Sequence, residues 1–263
     1  MPEGDTIHKI ANAIAPLLEG RRLERFELGA DRTLDLAGRR VDRVEARGKH
    51  LLVTVEGDLI LRTHLGMNGS WHRYAVREPW KRPARQASLV LGTGADVFVC
   101  FNAKESECLR ARTGRAADFD RRLGPDLVAD EEPDLEALAG RARRLLAADA
   151  PLADVLLHQG VACGIGNVYK SEVLFLHRLH PRRRLDSVDD GTLREVYATA
   201  RRLLRQNLGG GARVTRPAGD GAGDLWAYGR AGRGCFRCER PIASEVLGSG
   251  RRVTYWCPGC QAG

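Results

Sequence analysis

Four cysteines constrain this chain more than any other feature it carries. Cys235 and Cys238 form one Cys-x2-Cys pair, Cys257 and Cys260 form another, and 18 residues separate the two. Paired thiols at this spacing put four soft ligands on two tight turns, the donor set of tetrahedral zinc. The segment is too short to fold on a core of its own, so metal binding would supply its folding free energy. Four sulfurs close the coordination shell. The expected cofactor is therefore one structural Zn2+ per chain, and a zinc-dependent hydrolase is excluded. A redox pair or disulfides would be the competing reading. The chain has seven cysteines, an odd number, and its opening lacks the apolar core of a secretory signal, so a disulfide framework is disfavoured. Between the pairs, Ser249–Tyr255 has the pattern of a hairpin with arginines at its turn. Such a ribbon can enter a DNA groove, although a solvated turn fits the same residues.

The charge balance points the same way. Among 263 residues there are 42 lysines and arginines against 34 acids, a net charge of +8, which favours a polyanionic partner. Only five of the basic residues are lysines, at positions 9, 49, 81, 104 and 170. Arginine abundance can reflect genome composition, so total basicity is modest support for nucleic acid. The same bias makes each lysine informative, because a compact, titratable amine has been kept where arginine was the default. No apolar run is long enough for a membrane span, and a cytosolic protein is expected.

Along the chain, Ile7, Ile10, Ala11, Ile14, Leu17 and Leu18 recur at helical spacing, with Asp5 or Thr6 as N-cap, Gly20 as stop and Pro16 inside the pattern. Residues 22–112 resemble short strands, among them 51–55, 59–61, 88–91 and 97–101, separated by Gly-Asp and Gly-Thr-Gly turns, as in a sandwich or barrel. Residues 113–135 suggest a hinge. Helical periodicity covers 136–207, broken at Gly160–Gly166. Residues 209–224 are glycine-rich and expected to be a mobile loop. In Gly164-Ile165-Gly166-Asn167, the glycines would let backbone N–H groups approach a phosphate while Asn167 caps the next helix; a plain glycine corner fits equally. Arg178, Arg182, Arg183 and Arg184 lie close by in sequence.

The first residues are Met1-Pro2-Glu3-Gly4. Loss of Met1 would free Pro2 as a secondary amine, titrating near 7.7–8.0 against about 10.4 for lysine. Such an amine can attack an electrophilic sugar carbon and form an iminium. Glu3 sits beside it as a proton donor or acceptor, and the positive end of the first helix would lower the amine's affinity for a proton further. Taken alone, an ordinary processed terminus explains these residues as well.

Read together, Met1–Gly4, Arg47-Gly48-Lys49-His50-Leu51-Leu52, His64-Leu65-Gly66-Met67-Asn68-Gly69, Arg122-Leu123-Gly124-Pro125-Asp126, Gly164–Asn167, Tyr228-Gly229-Arg230 and Arg252–Gln261 resemble, in this order, the formamidopyrimidine-DNA glycosylase/endonuclease VIII family. The resemblance spans essentially the whole chain. It implies an α+β fold with an N-terminal β-sandwich domain (1–118), a helix–two-turns–helix domain (119–224) and a C-terminal zinc finger (225–263), with DNA between the lobes. It implies a bifunctional DNA glycosylase and lyase acting on damaged double-stranded DNA, bubble or single-stranded DNA remaining open. The implied protein is a monomer working in the bacterial cytoplasm, at the nucleoid and away from membranes. By resemblance, Pro2 is the nucleophile at C1′, Glu3 protonates the opening sugar ring, Lys49 contacts phosphate and donates protons, and Arg252 assists δ-elimination. Arg122 and Asn167 match phosphate-binding positions. Met67 matches an apolar wedge filling the gap left by a flipped base, with core packing as its alternative.

Some residues depart from the pattern. Gly4 resembles the endonuclease VIII branch, whereas the wedge loop resembles the other. Asp5-Thr6 stands where Pro-Glu is common, and Phe101–Ser106 lacks the Arg-Phe pair that probes the base opposite the lesion. The resulting expectation is a preference for oxidised pyrimidines and abasic sites over 8-oxoguanine. A non-catalytic damaged-DNA-binding protein on the same scaffold is the rival from another class, and an 8-oxoguanine-preferring glycosylase the rival within it.

Overall fold

The computed structural model describes residues 2–29, 34–111, 114–217 and 219–262. The chain divides into two compact units, Met1–Arg122 and Leu123–Gly263.

The first unit opens with helix α1 (Gly4–Leu18) and continues through β1 (Arg25–Leu28), β2 (Val41–Arg47), β3 (His50–Val55), β4 (Leu59–His64), β5 (Ser70–Ala75), β6 (Ala87–Gly92), β7 (Asp96–Phe101) and β8 (Glu105–Arg110), ending in α2 (Gly114–Arg122). Two antiparallel four-stranded sheets form, ordered β2-β3-β4-β8 and β1-β6-β7-β5. Leu51, Val53, Leu59 and Leu61 of one sheet and Leu89, Leu91, Phe98 and Cys100 of the other share one core, closed by Ile7, Ala11, Ile14 and Leu18 of α1. This is a sandwich. The uninterrupted apolar run 97–101 has a specific cause: Phe98 and Cys100 face that core, while Val97, Val99 and Phe101 pack on the opposite face with Tyr74 and the half-buried Trp80. A strand buried on both faces does not need to alternate. The β3–β4 turn carries positive φ at both Gly57 (94°) and Asp58 (58°), the geometry that suits a tight hairpin.

Two expectations need correction here. The N-cap of α1 is Glu3, not Asp5 or Thr6. Residues 114–122 are helical and not part of a hinge, with Phe119 set edge-on against the His50 ring. Pro16 lies within α1, which runs on to Leu18 before Gly20 turns the chain at φ 76°.

The second unit carries α3 (Glu136–Leu145), α4 (Leu152–Leu157), α5 (Asn167–Leu176), α6 (Asp190–Gln206) and the hairpin β9 (Ala243–Leu247)–β10 (Arg252–Trp256). Leu138, Leu156, Tyr169, Leu174, Tyr197 and Leu204 anchor its main core. A smaller cluster joins Phe175 and Ala227 to Cys235, Ile242 and Cys257. Helix α5 is buried along Asn167–Phe175. Polar residues inside such a helix must find partners or cost stability. Among the described residues, no helix is long and apolar enough to cross a membrane.

Candidate functional site

The start of α1 gathers buried carboxylates. Glu3 is 0% exposed and Asp5 1%. The backbone N–H of Glu3 donates to Thr6 Oγ1 (3.5 Å), and that hydroxyl donates to Asp5 Oδ1 (3.3 Å). Two carboxylates at a helix N-terminus sit where the unpaired amides of the first turn favour negative charge. Asp5 thus provides a second buried acid at this end, although the family's usual glutamate at position 6 is missing. Pro2 is half-buried directly before them. The removal of Met1 falls outside the described residues.

Lys49 occupies the β2–β3 turn, where Gly48 takes φ 59°. Helix α1 packs on both β2 and β3. Around the strand that follows the turn lies an ordered polar cluster. Arg62, its side chain 11% exposed, donates to His50 Nδ1 (2.9 Å), Glu105 (2.9 Å) and Glu107 (2.7 Å). A guanidinium can only donate, so the His50 proton resides on Nε2. The His50 and His64 rings pair across β3 and β4 at 4.8 Å. Burial first, then the His64 ring and the Arg62 charge, push His50 from its usual 6.5 down to about 3. Burial also lowers His64, against the opposing pull of Glu105. Both rings are neutral near pH 7.

Met67 stands 65% exposed in the turn between β4 and β5, which excludes core packing. The turn is held by Gly66 at φ 61° and by Gly69, where a Cβ would come within 2.5 Å of the Leu65 carbonyl. Arg122 is exposed at the end of α2.

In the second unit, sequence-distant residues meet. Gly164 bends the chain at φ 110°, and Gly166, not Asn167, is the N-cap of α5. Asn167 is the first helical residue, 6% exposed. Its Nδ2 donates to the Val253 carbonyl (2.7 Å), next to Arg252 on β10. Its Oδ1 accepts from the ammonium of Lys170 (2.6 Å), which also donates to Thr254 Oγ1 (2.6 Å). Thr254 in turn donates to the Arg252 carbonyl (3.2 Å). The start of α5 and the start of β10 therefore form one hydrogen-bonded frame. Arg252 opens β10 directly after Arg251, which turns the hairpin at φ 45°.

Glu172, 0% exposed, accepts the N–H groups of Trp226 (2.7 Å), Ala227 (2.9 Å) and Tyr228 (2.8 Å) and the Thr215 hydroxyl. Arg216 pairs with Asp220 and lies over the Phe236 ring at 3.7 Å, with Arg230 over the same ring at 3.5 Å. The glycine-rich segment 209–224 is thus tied at its base by partners its composition does not reveal.

The sulfurs of Cys235, Cys238, Cys257 and Cys260 all lie within 4.8 Å of one another. Cys238–Cys257 and Cys235–Cys260 are 3.3 and 3.8 Å apart. A tetrahedron with Zn–S of about 2.3 Å has edges of about 3.8 Å, so the cluster is suited to one zinc ion. Backbone N–H groups of Arg237 and Cys260 donate to Cys235 and Cys257 Sγ, each at 3.4 Å. The cysteine cluster was legible from spacing; Lys170, Glu172 and Arg62 were not. The one signal for Lys170 was its survival in a lysine-poor chain.

Comparison with known proteins completes the picture. Residues 1–104 match the formamidopyrimidine-DNA glycosylase N-terminal domain, and residues 123–217 match the formamidopyrimidine-DNA glycosylase H2TH domain. A probable endonuclease 8 2 of Streptomyces coelicolor is 40% identical over 272 residues, covering 100% of this chain and 95% of the relative. A DNA-(apurinic or apyrimidinic site) lyase, Nei2, of Mycolicibacterium smegmatis is 37% identical, with 99% of each chain covered. The crystal structure of Lactococcus lactis formamidopyrimidine-DNA glycosylase, bound non-covalently to DNA containing an abasic site, superposes with a TM-score of 0.82 at 20% identity. It covers 99% of this chain and 100% of its own. That likeness establishes the shared fold.

Proposed function

We propose, from the premise that the chain belongs to the formamidopyrimidine-DNA glycosylase family, that it is an endonuclease 8-like DNA glycosylase and AP lyase of base excision repair with a preference for oxidised pyrimidines. The observation that carries the mechanism is Glu3, a fully buried carboxylate at the N-cap of α1, one residue after Pro2. Helix amides beside the Pro2 nitrogen disfavour its protonation and keep the lone pair available. The damaged nucleotide must leave the stack before the nitrogen can reach C1′. Pro2 bonds to C1′ as the glycosidic bond breaks, and the base leaves with its electron pair and takes up a proton. Glu3 gives a proton to O4′ as the C1′–O4′ bond opens, leaving a protein–DNA iminium. Loss of the C2′ proton then expels the 3′ phosphate, and a second elimination expels the 5′ phosphate. Lys49 serves as phosphate contact and proton donor, and Arg252 stabilises charge on the departing phosphate.

Asn167 and Arg122 hold backbone phosphates, which position DNA without reading sequence. Met67 enters the space the flipped base leaves. Bound at the four cysteines, a zinc ion would be structural and would fix the knuckles from which the β9–β10 hairpin projects. The pyrimidine preference is supported by Gly4 and by the short β7–β8 turn of Asn102, Ala103 and Lys104, which offers no arginine–aromatic pair to probe an opposite base. Borohydride trapping across duplexes bearing thymine glycol, 5-hydroxycytosine, 8-oxoguanine and an abasic site is the test. Wild type should become covalently fixed to DNA, most rapidly on the pyrimidine lesions. Trapping that survives both Pro2→Gly and a blocked terminus rules out Pro2. Faster excision of 8-oxoguanine rules out the preference.

A further inference from the structure

A lysine ammonium loses strong hydration on burial, and the loss must be recovered from fixed acceptors. Lys170 is 0% exposed. Its ammonium reaches out from α5 to two side-chain oxygens, Asn167 Oδ1 and Thr254 Oγ1, each at 2.6 Å. Those oxygens belong to the two elements that carry the proposed phosphate contacts, the α5 N-terminus and β10. Arginine dominates the basic residues here, whereas this position carries lysine, whose compact ammonium has three rotatable donors for the two oxygens.

We propose that Lys170 is a positioning residue for the phosphate site formed by Asn167 and Arg252, a role that rests on the phosphate reading of Asn167. Lysine has donors and no acceptor, so the Asn167 oxygen must face it and the Asn167 NH2 must face the other way. One of the two amide hydrogens is held by the Val253 carbonyl, and the second is left for a phosphate oxygen. The fixed charge also polarises that amide, making it a stronger donor. At the other end, the bond to Thr254 holds the strand residue whose hydroxyl braces the Arg252 carbonyl. Lys170 therefore sets the angle of both phosphate ligands without touching DNA, and adds a positive charge behind them that solvent cannot screen.

The experiment is a double-substitution cycle, with the dissociation constant measured for undamaged and abasic-site duplexes at one salt concentration. Lys170→Met, close in length and without charge, should weaken binding about tenfold on both duplexes. Asn167→Ala should do the same. The double variant should lose clearly less affinity than the two single losses combined, because the arm of Lys170 that acts through the Asn167 amide is already gone. At saturating abasic DNA, with the two single-turnover steps followed separately, Lys170→Met should slow the δ-elimination that Arg252 assists more than the β-elimination. A purely structural role would slow both alike and would add to Asn167→Ala. Thr254→Val, which removes one acceptor and leaves the charge, provides a milder variant should Lys170→Met fold poorly, and should slow δ-elimination through Arg252. Additive losses overturn the positioning role and leave the phosphate reading intact. Unchanged affinity in Asn167→Ala overturns that reading, and the positioning role falls with it.

Discussion

Glu172→Gln isolates a single buried carboxylate without altering its volume. Oε1 of Glu172 accepts from the backbone of Ala227 and Tyr228, while Oε2 accepts from Trp226 and the Thr215 hydroxyl. Glutamine turns one oxygen into an NH2 group. Whichever way the amide sits, two donors then face a donor. Hydrogen bonds to a charged acceptor contribute about 1.5–3 kcal/mol each, so two lost bonds and some relaxation leave a cost of about 3 kcal/mol. For a chain of this size that corresponds to a fall in Tm of roughly 6–12 °C. The damage should be local first, because all four donors lie in the connection between α6 and the first cysteine pair. Thermal and urea denaturation, run with zinc in constant excess, measure the cost. Trypsin cleavage after Arg213, which is followed by Val214, should quicken in parallel. A loss below about 1 kcal/mol with unchanged cleavage would show that the carboxylate does not hold this connection, and the reasoning would fail.

Acid titration should report His50. Its folded pKa of about 3 lies below the unfolded value of about 6.5, so between these the unfolded chain binds more protons and stability falls as pH falls. The contribution is complete above about pH 6.5 and is lost toward pH 3, at up to about 1.4 kcal/mol per pH unit. The urea midpoint of wild type should therefore drop more steeply from pH 7 to 5 than that of His50→Gln; equal slopes exclude this source. Cys257→Ser should abolish stoichiometric zinc in metal analysis and expose Trp226 and Phe236 to solvent, seen as a red-shifted tryptophan emission. Retained zinc would mean that three ligands suffice. Met67→Ala should leave stability within about 0.5 kcal/mol, as expected of an exposed side chain, while weakening affinity for an abasic-site duplex. A stability loss above about 1 kcal/mol would place Met67 in the fold instead.

Local patterns carried much of this structure. Strands β3, β4 and β7 were visible as the apolar runs 51–55, 59–61 and 97–101 between turn residues, and the cysteine spacing alone located the four-sulfur cluster. Helix ends were less legible. Asp5 and Thr6 are better N-caps by propensity than Glu3, yet Glu3 caps the helix and both acids are buried. Residues 114–122 looked like a linker because their helix buries no side chain, so periodicity had nothing to record. The proposed phosphate frame was half visible: Asn167 stood out in its glycine turn, whereas Lys170 depends on Thr254, 84 residues away, a pairing that only the tertiary fold creates.

Consecutive residues Lys170, Ser171 and Glu172 point in three directions from α5, and each finds its partner on a different part of the chain: β10, the carbonyl of Asn167 one turn earlier, and the stretch 215–228. Adding or deleting a single residue between Asn167 and Lys170 would rotate Lys170 and Glu172 by about 100° relative to the helix start and orphan both at once, whereas Ser171 would still find a carbonyl four residues back. Length in α5 is therefore far less free to drift than composition.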